Sequence, residues 1–270
     1  MPLAFGYAIY AHRDSCPNNN TGGVHFTGDN TVNITGGGVM SDACLDANGS
    51  VDVNVNGGGI NYTTDYNPSG NPSVSPAPTN QDNTLPEWAL LFPEPNCSNL
   101  PNLTFNTNGT NDRGVYNGNI TITGNNNVTM NPGLYCFSGN VTINGGTVTG
   151  NSITIYMMGG NLSVSGNSVT NITAPNFAVT MNDGIPGMLI YVAGTNAGQV
   201  TLEGNGDSSF VGTIFASHEN SRVDIGGTSD AVFHTQLIAG TVFIHGNAVL
   251  DVTFNDNQVY YLPARLTLEK

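Results

Sequence analysis

The sequence predicts an all-β chain wound into a right-handed parallel β-helix, with about 19–24 residues per coil. Three observations carry this expectation. The composition lacks helix formers, several residue types align in one 21-residue register, and Gly or Asn corners separate short alternating runs.

The 270 residues include 35 Gly, 39 Asn and 29 Thr, but only 5 Lys+Arg against 19 Asp+Glu. Charged residues make up 9%, against about 25% in an ordinary domain. Solubility therefore rests on neutral amides and hydroxyls rather than on the helix-favouring side chains of Lys, Glu and Arg. That balance disfavours helical bundles and α/β nucleotide-binding enzymes. Hydrophobic residues still reach 38%, many of them β-branched, so a core exists and is built from strands. A net charge of −14 with five dispersed cations offers no basic face, which argues against nucleic acid or anionic membrane as a partner.

The register is clearest in residues 120–182. Ile120, Val141 and Leu162 begin successive repeats, and Gly124, Gly145 and Gly166 align behind them. The same spacing aligns Tyr135, Tyr156 and Phe177, then Phe137, Met158 and Val179, and a file of Asn119, Asn140, Asn161 and Asn182. Further on, Val200, Val223 and Val242 restate the opening strand at intervals of 23 and 19. Tyr191, Ile214 and Leu237 align at 23, as do Phe210 and Phe233.

Each repeat holds about three alternating runs, the pattern of strands with one buried face. Three short strands cannot bury a core as a flat ribbon. Coiled, their equivalents stack in parallel about 4.8 Å apart. The aromatic file is then expected inside the bore and the Asn file at a corner, its amides bonded to those above and below. A β-propeller is the alternative, but its blades need about 40 residues.

In chain order, residues 1–65 are expected to form irregular N-terminal coils, with strands near 24–38 and 51–60. Residues 66–98 hold seven prolines and are expected to be an excursion or cap, anchored by Trp88, Leu90, Leu91 and Phe92. Residues 99–270 are expected to be the regular β-helix, its far end closed by the tail from Tyr260. The three parts are read as one domain. No apolar segment reaches the length of a membrane-spanning helix, and Pro2 to Ala11 lacks the basic flank of a signal peptide. If the protein is exported, its targeting segment is expected to have been removed.

Cys16, Cys44, Cys97 and Cys136 are even in number and lack metal-ligand spacing, so two disulfides in an oxidising, extracellular setting are expected. Chain order suggests Cys16 with Cys44 and Cys97 with Cys136, although four cysteines allow three pairings.

Catalysis by a β-helix would need converging carboxylates or a strong base. Arg222, Asp224, Asp230, His234, His245 and Asp251 form the one cluster to inspect, and an Arg222 salt bridge to Asp224 or Asp251 is the plainer reading. Asp207 and Asp256 sit in Gly- and Asn-rich turns that match no calcium-binding loop. No metal or cofactor is expected. Asn-x-Ser/Thr sequons are dense, and Asn96, Asn102 and Asn108 are the candidate glycosylation sites. Much of that density follows from a corner Asn preceding an apolar-Thr strand. Tyr62, Tyr66, Tyr116 and Trp88 are the candidates for an exposed carbohydrate-binding row.

The runs YAIYAHRDSC, FPEPNC, NPGLYCFSGNVTI, GNSITIYMMGG, GMLIYVAG, GTIFASHENSRVDI and TQLIAGTVFIHGNA span most of the chain. Together they resemble the C-terminal region of bacterial proteins related to tight-adherence (Flp-type) pilus assembly. The resemblance implies an extracellular β-helix behind a short N-terminal membrane anchor, expected to have been either cleaved or trimmed from this chain, and it carries no catalytic residues. It implies that Cys97 and Cys136 are a recurrent pair. The function expected is a non-enzymatic structural protein of a cell-surface appendage that self-associates by stacking. An adhesin or carbohydrate-binding β-helix is the alternative, and a polysaccharide lyase or hydrolase the third reading.

Overall fold

The computed structural model describes residues 6–16, 22–81, 92, 94–176, 183–204, 207–227, 231–246, 249–255 and 259–260. The described residues form 26 β-strands and no helix. Every strand pairing is parallel, and the strands stack as a three-faced solenoid of about ten coils.

The first face stacks Asn102–Leu103, Gly114–Tyr116, Gly133–Phe137, Ile153–Met157 and Met188–Val192. It continues through the second halves of Ser209–Ala216 and Ala231–Ala239. Tyr7–Ala11, Gly38–Ser41, Ile60–Tyr62 and Thr79–Asn80 complete it. The second face runs from the first half of Ile120–Met130 through Leu162–Ser165, Arg222–Gly227 and Thr241–Gly246 to Gly23–Gly28, Leu45–Gly49 and Tyr66–Gly70. The third runs from Gly109–Asn111 through Val169–Thr173 and Val249–Thr253 to Thr31–Thr35, Asp52–Asn56 and Ser73–Ser75.

The winding order differs from the expected one. The N-terminal coils do not open the stack. They dock on the last C-terminal coil, with Ile9 opposite Leu237, Phe26 opposite Ile244 and Ile34 opposite Val252. The chain thus starts in mid-column, winds to the upper end at residues 79–80, and resumes at the lower end near residue 102. From there it winds back to the middle. Tyr260, where the tail begins, packs against Phe92 in mid-column, with ring centroids 4.3 Å apart. Residues 261–270 lie outside the described residues.

The N-terminal coils are also not irregular. Val24, Leu45 and Tyr66 stack at 21-residue steps, as do Thr31, Asp52 and Ser73. A corner column of Gly246, Gly28, Gly49 and Gly70 crosses from the last coil into the first. All four have positive φ, and a Cβ on Gly28 would lie 2.3 Å from the Gly246 carbonyl oxygen. Only glycine fits so close to the rung beneath.

Residues 66–98 are not one excursion. Residues 66–80 form the uppermost coil, and Pro68 sits in an outermost strand, where a missing N–H is tolerated. Trp88, Leu90 and Leu91 lie outside the described residues. Phe92 and residues 94–101 form a strap down the outside of the first face. Phe92 lies 5.4 Å from the Tyr191 ring, Cys97 is disulfide-bonded to Cys136, and the Pro101 carbonyl accepts the Val115 N–H.

The interior is one continuous apolar column, including Phe210 and Phe233 stacked 5.4 Å apart. The expected aromatic file is corrected. Asn125 and Asn126 oppose the single Gly146, so the step shortens from 21 to 20 residues between Gly124 and Asn127. Tyr135 then faces Ile155, and Cys136 faces Tyr156. A one-residue slip in a period of two turns side chains to the other face. Tyr135 lies in the bore beside Tyr116 and Phe137, whereas Tyr156 points outward beneath the strap. Phe137 likewise pairs with Met157 rather than Met158. A second bulge between Met188 and Ile190 sets Tyr191 opposite Phe215, not Ile214. Ile214 does face Leu237 at 23. Phe177, Val179 and Asn182 lie outside the described residues.

Candidate functional site

The charged cluster singled out in the sequence is divided between two faces. Arg222, Asp224 and His245 stand on the second face, whereas His234 and Asp251 stand on the third. Asp230 lies outside the described residues. Arg222 Nε and Gln199 Nε2 both donate to the Asp224 carboxylate, which is buried. The Arg222 guanidinium also sits 4.3 Å over the Phe243 ring, and Phe243 meets the His25 ring at 5.8 Å. His25 Nδ1 lies 2.7 Å from Asp46, which accepts from Asn67 Nδ2 at 2.9 Å.

These residues form one outward file, Asp224, Phe243, His25, Asp46 and Asn67, running from the last coil into the first. Burial alone would raise the Asp46 carboxyl, but the hydrogen bonds from His25 and Asn67 and the His25 charge outweigh it and hold it below its ordinary value. Asp251 is engaged elsewhere: Asn33 Nδ2 donates to it at 2.8 Å. The cluster is a latch along five stacked coils, not a converging set of carboxylates. His245 lies 3.8 Å from Glu203. Asp207 is an exposed turn residue and Asp256 lies outside the described residues. Among the described residues no three His, Cys, Asp or Glu side chains are grouped to hold a metal ion.

Cys16 is bonded to Cys44 and Cys97 to Cys136. Two disulfides are characteristic of chains that fold in an oxidising compartment. No helix among the described residues is long and apolar enough to cross a membrane.

The asparagine file stands at the corner leading into the second face. Its bonding differs from amide-on-amide stacking. Asn119 Oδ1 accepts the backbone N–H of Asn140, Asn140 Oδ1 that of Asn161, and Asn161 Oδ1 that of Gln199. Corner N–H groups that point along the stack thus find acceptors in the coil beneath. The candidate glycosylation residues Asn96, Asn102 and Asn108 are exposed near the lower end, and each also accepts through Oδ1.

The expected aromatic row does not form. Tyr116 is buried in the bore, and Tyr62 and Tyr66 pack against the upper end of the core with rings 6.2 Å apart. Trp88 lies outside the described residues. The aromatic surface lies instead beneath the strap, where Cys136, Tyr156, Tyr191, Phe215, Ile238, Tyr10 and Met40 form a consecutive buried file. Glu94 fastens the strap there: Oε1 accepts the Gly194 N–H at 2.7 Å and Oε2 the Tyr156 hydroxyl at 3.1 Å. Burial, then the Glu94 bond and charge, push the Tyr156 hydroxyl up to about 12. The signal for this file was the alternation in LYCF, IYMM and IYVA, which leaves outward apolar residues opposite inward ones.

An open groove of about 590 Å³ lies at the corner between the second and third faces. Asn125, Asn127, Asn144, Thr147 and Asn167 line it together with corner glycines, so its surface is neutral and rich in amide donors and acceptors.

No family model, curated protein or solved structure matches the chain.

Proposed function

We propose that the protein is a non-enzymatic, extracellular structural component of a cell-surface appendage, related to pilus assembly, that self-associates through its solenoid. The observation that carries the reading is the state of the two end coils. Among the described residues, Tyr66–Gly70, Ser73–Ser75 and Thr79–Asn80 pair only with the coil below them. Asn102–Leu103 and Gly109–Asn111 pair only with the coil above. Open strand edges are templates for another chain, and none of these end strands carries a charged residue to repel one. The two disulfides support an oxidising location. The pilus connection rests on the resemblance of the sequence motifs. Negative-stain electron microscopy with light scattering across concentration and salt tests the proposal. Filaments or growing mass support it, and monomers under every condition overturn it.

A second reading, a carbohydrate-binding solenoid, is favoured by the neutral Asn- and Thr-lined groove rather than by an aromatic row. A glycan array without hits removes it.

A further inference from the structure

The column consists of two blocks joined by a single stretch of chain, each with its own disulfide. Residues 7–81 contain Cys16–Cys44, and residues 92–260 contain Cys97–Cys136, so no disulfide crosses the seam between them. The seam is held as any other coil boundary is held. Strands pair on all three faces, the apolar bore is continuous, and the Arg222–Phe243–His25 latch and the Asn33–Asp251 bond fasten the outside. His12 adds a bridge, its Nε2 lying 2.9 Å from the Ala216 carbonyl oxygen while its N–H donates to Ala239.

We infer that this seam is an exchange interface between copies of the chain: residues 7–81 of one copy dock on the coil of residues 237–253 of another. The inference rests on the self-association reading and replaces stacking of ends with exchange of blocks. Both seam surfaces belong to every copy, so each contact made within one chain is available in the same geometry between two. Reciprocal exchange closes a dimer, and onward exchange gives an open chain of blocks. The last point pinned covalently to the lower block is Cys97. From Gln81 to Cys97 the chain extends to about 55 Å, enough to reach a neighbouring column once the strap segment before Cys97 lifts. A tether of this length holds its own block at an effective concentration on the order of 1 mM. Exchange is therefore expected at comparable protein concentrations, or where copies are crowded on a surface.

The test uses two full-length variants, Thr27→Cys and His245→Cys. These positions face each other across the seam on the outside of the second face. The native cysteines are all disulfide-bonded, so a short bifunctional maleimide reacts with the new thiols. The two variants are mixed at about 1 mM, incubated, cross-linked, and analysed by denaturing mass spectrometry. A covalent 27–245 heterodimer as the main linked product supports exchange. Oligomers without that link overturn exchange and leave end-to-end stacking standing. Monomers without the link overturn both. The double variant, linked within one chain, closes the seam. It should lower the oligomer fraction at least tenfold, whereas an unchanged fraction overturns the inference. Asn33→Cys with Asp251→Cys repeats the test on the third face should either first variant fail to fold.

Discussion

Replacing Ile9 by alanine tests the mid-column start most directly. In a solenoid wound steadily from its first residues, Ile9 would lie in an end coil and its truncation would cost little. Here it is fully buried between Leu237 below and Val39 above, themselves fully buried. Ile→Ala removes about three methyl or methylene groups at about 0.8 kcal/mol each, near 2.4 kcal/mol of transfer free energy. The cavity left between two packed rungs cannot collapse freely, which brings the expected loss to about 3–4 kcal/mol. Urea unfolding with both disulfides intact measures it. Val74→Ala is the control, because Val74 is half-buried in the uppermost coil and should lose far less. A loss below about 0.5 kcal/mol for Ile9→Ala, or equal losses at both sites, would refute the docking of the first coil on the last.

Other consequences are open to measurement. Replacing both Cys97 and Cys136 by serine opens a loop with a sequence separation of 39 and should cost about 2–4 kcal/mol in urea unfolding. Glu94→Gln removes a charge that raises the Tyr156 hydroxyl, so tyrosinate absorbance should show a group titrating below its present value of about 12. Burial holds His12 below its ordinary value despite bonds that raise it. The unfolded chain then takes up a proton below about pH 6.5 that the folded chain refuses, so stability should fall as pH drops through that value. His12→Gln should flatten this slope in unfolding midpoints taken between about pH 7.5 and about pH 5.5. If the exposed sequons are used, intact mass of the protein from its own cells should exceed the sequence mass by whole saccharide units, with Asn96, Asn102 or Asn108 in the modified peptides.

The coil was legible because its inward columns and corner glycines recur in register, as Ile120, Val141 and Leu162 do. The same signal exists in Val24, Leu45 and Tyr66, but its third member falls among prolines that mask a strand pattern. Bulges were not legible. The extra residue at Asn125–Asn126 turns Tyr156 outward while leaving Val141 and Leu162 in register, and no composition rule marks where a coil absorbs one residue. Nor could sequence order show that the last coil meets the first, since local alternation carries no information about which rung lies beneath which. The charged cluster was noticed for its residue types, yet its role depends on that missing contact. Arg222 and Asp224 acquire meaning only once Phe243 is known to lie under His25.

Closing the column in its middle also sets a condition on how it folds. Ile9 and Leu237 are 228 positions apart (237 − 9), and their pairing cannot form until nearly all the intervening chain has been made. Contacts of such separation are slow to form because the loop entropy must be met first. A solenoid emerging from a ribosome or an export pore normally adds rungs one upon the next. This one builds three coils and one further strand, leaves their lower surface uncovered, starts again at the opposite end, and completes both blocks only when the final coil arrives. For that interval the newborn chain carries an unpaired three-faced edge, and whatever shields it decides whether the column closes on itself.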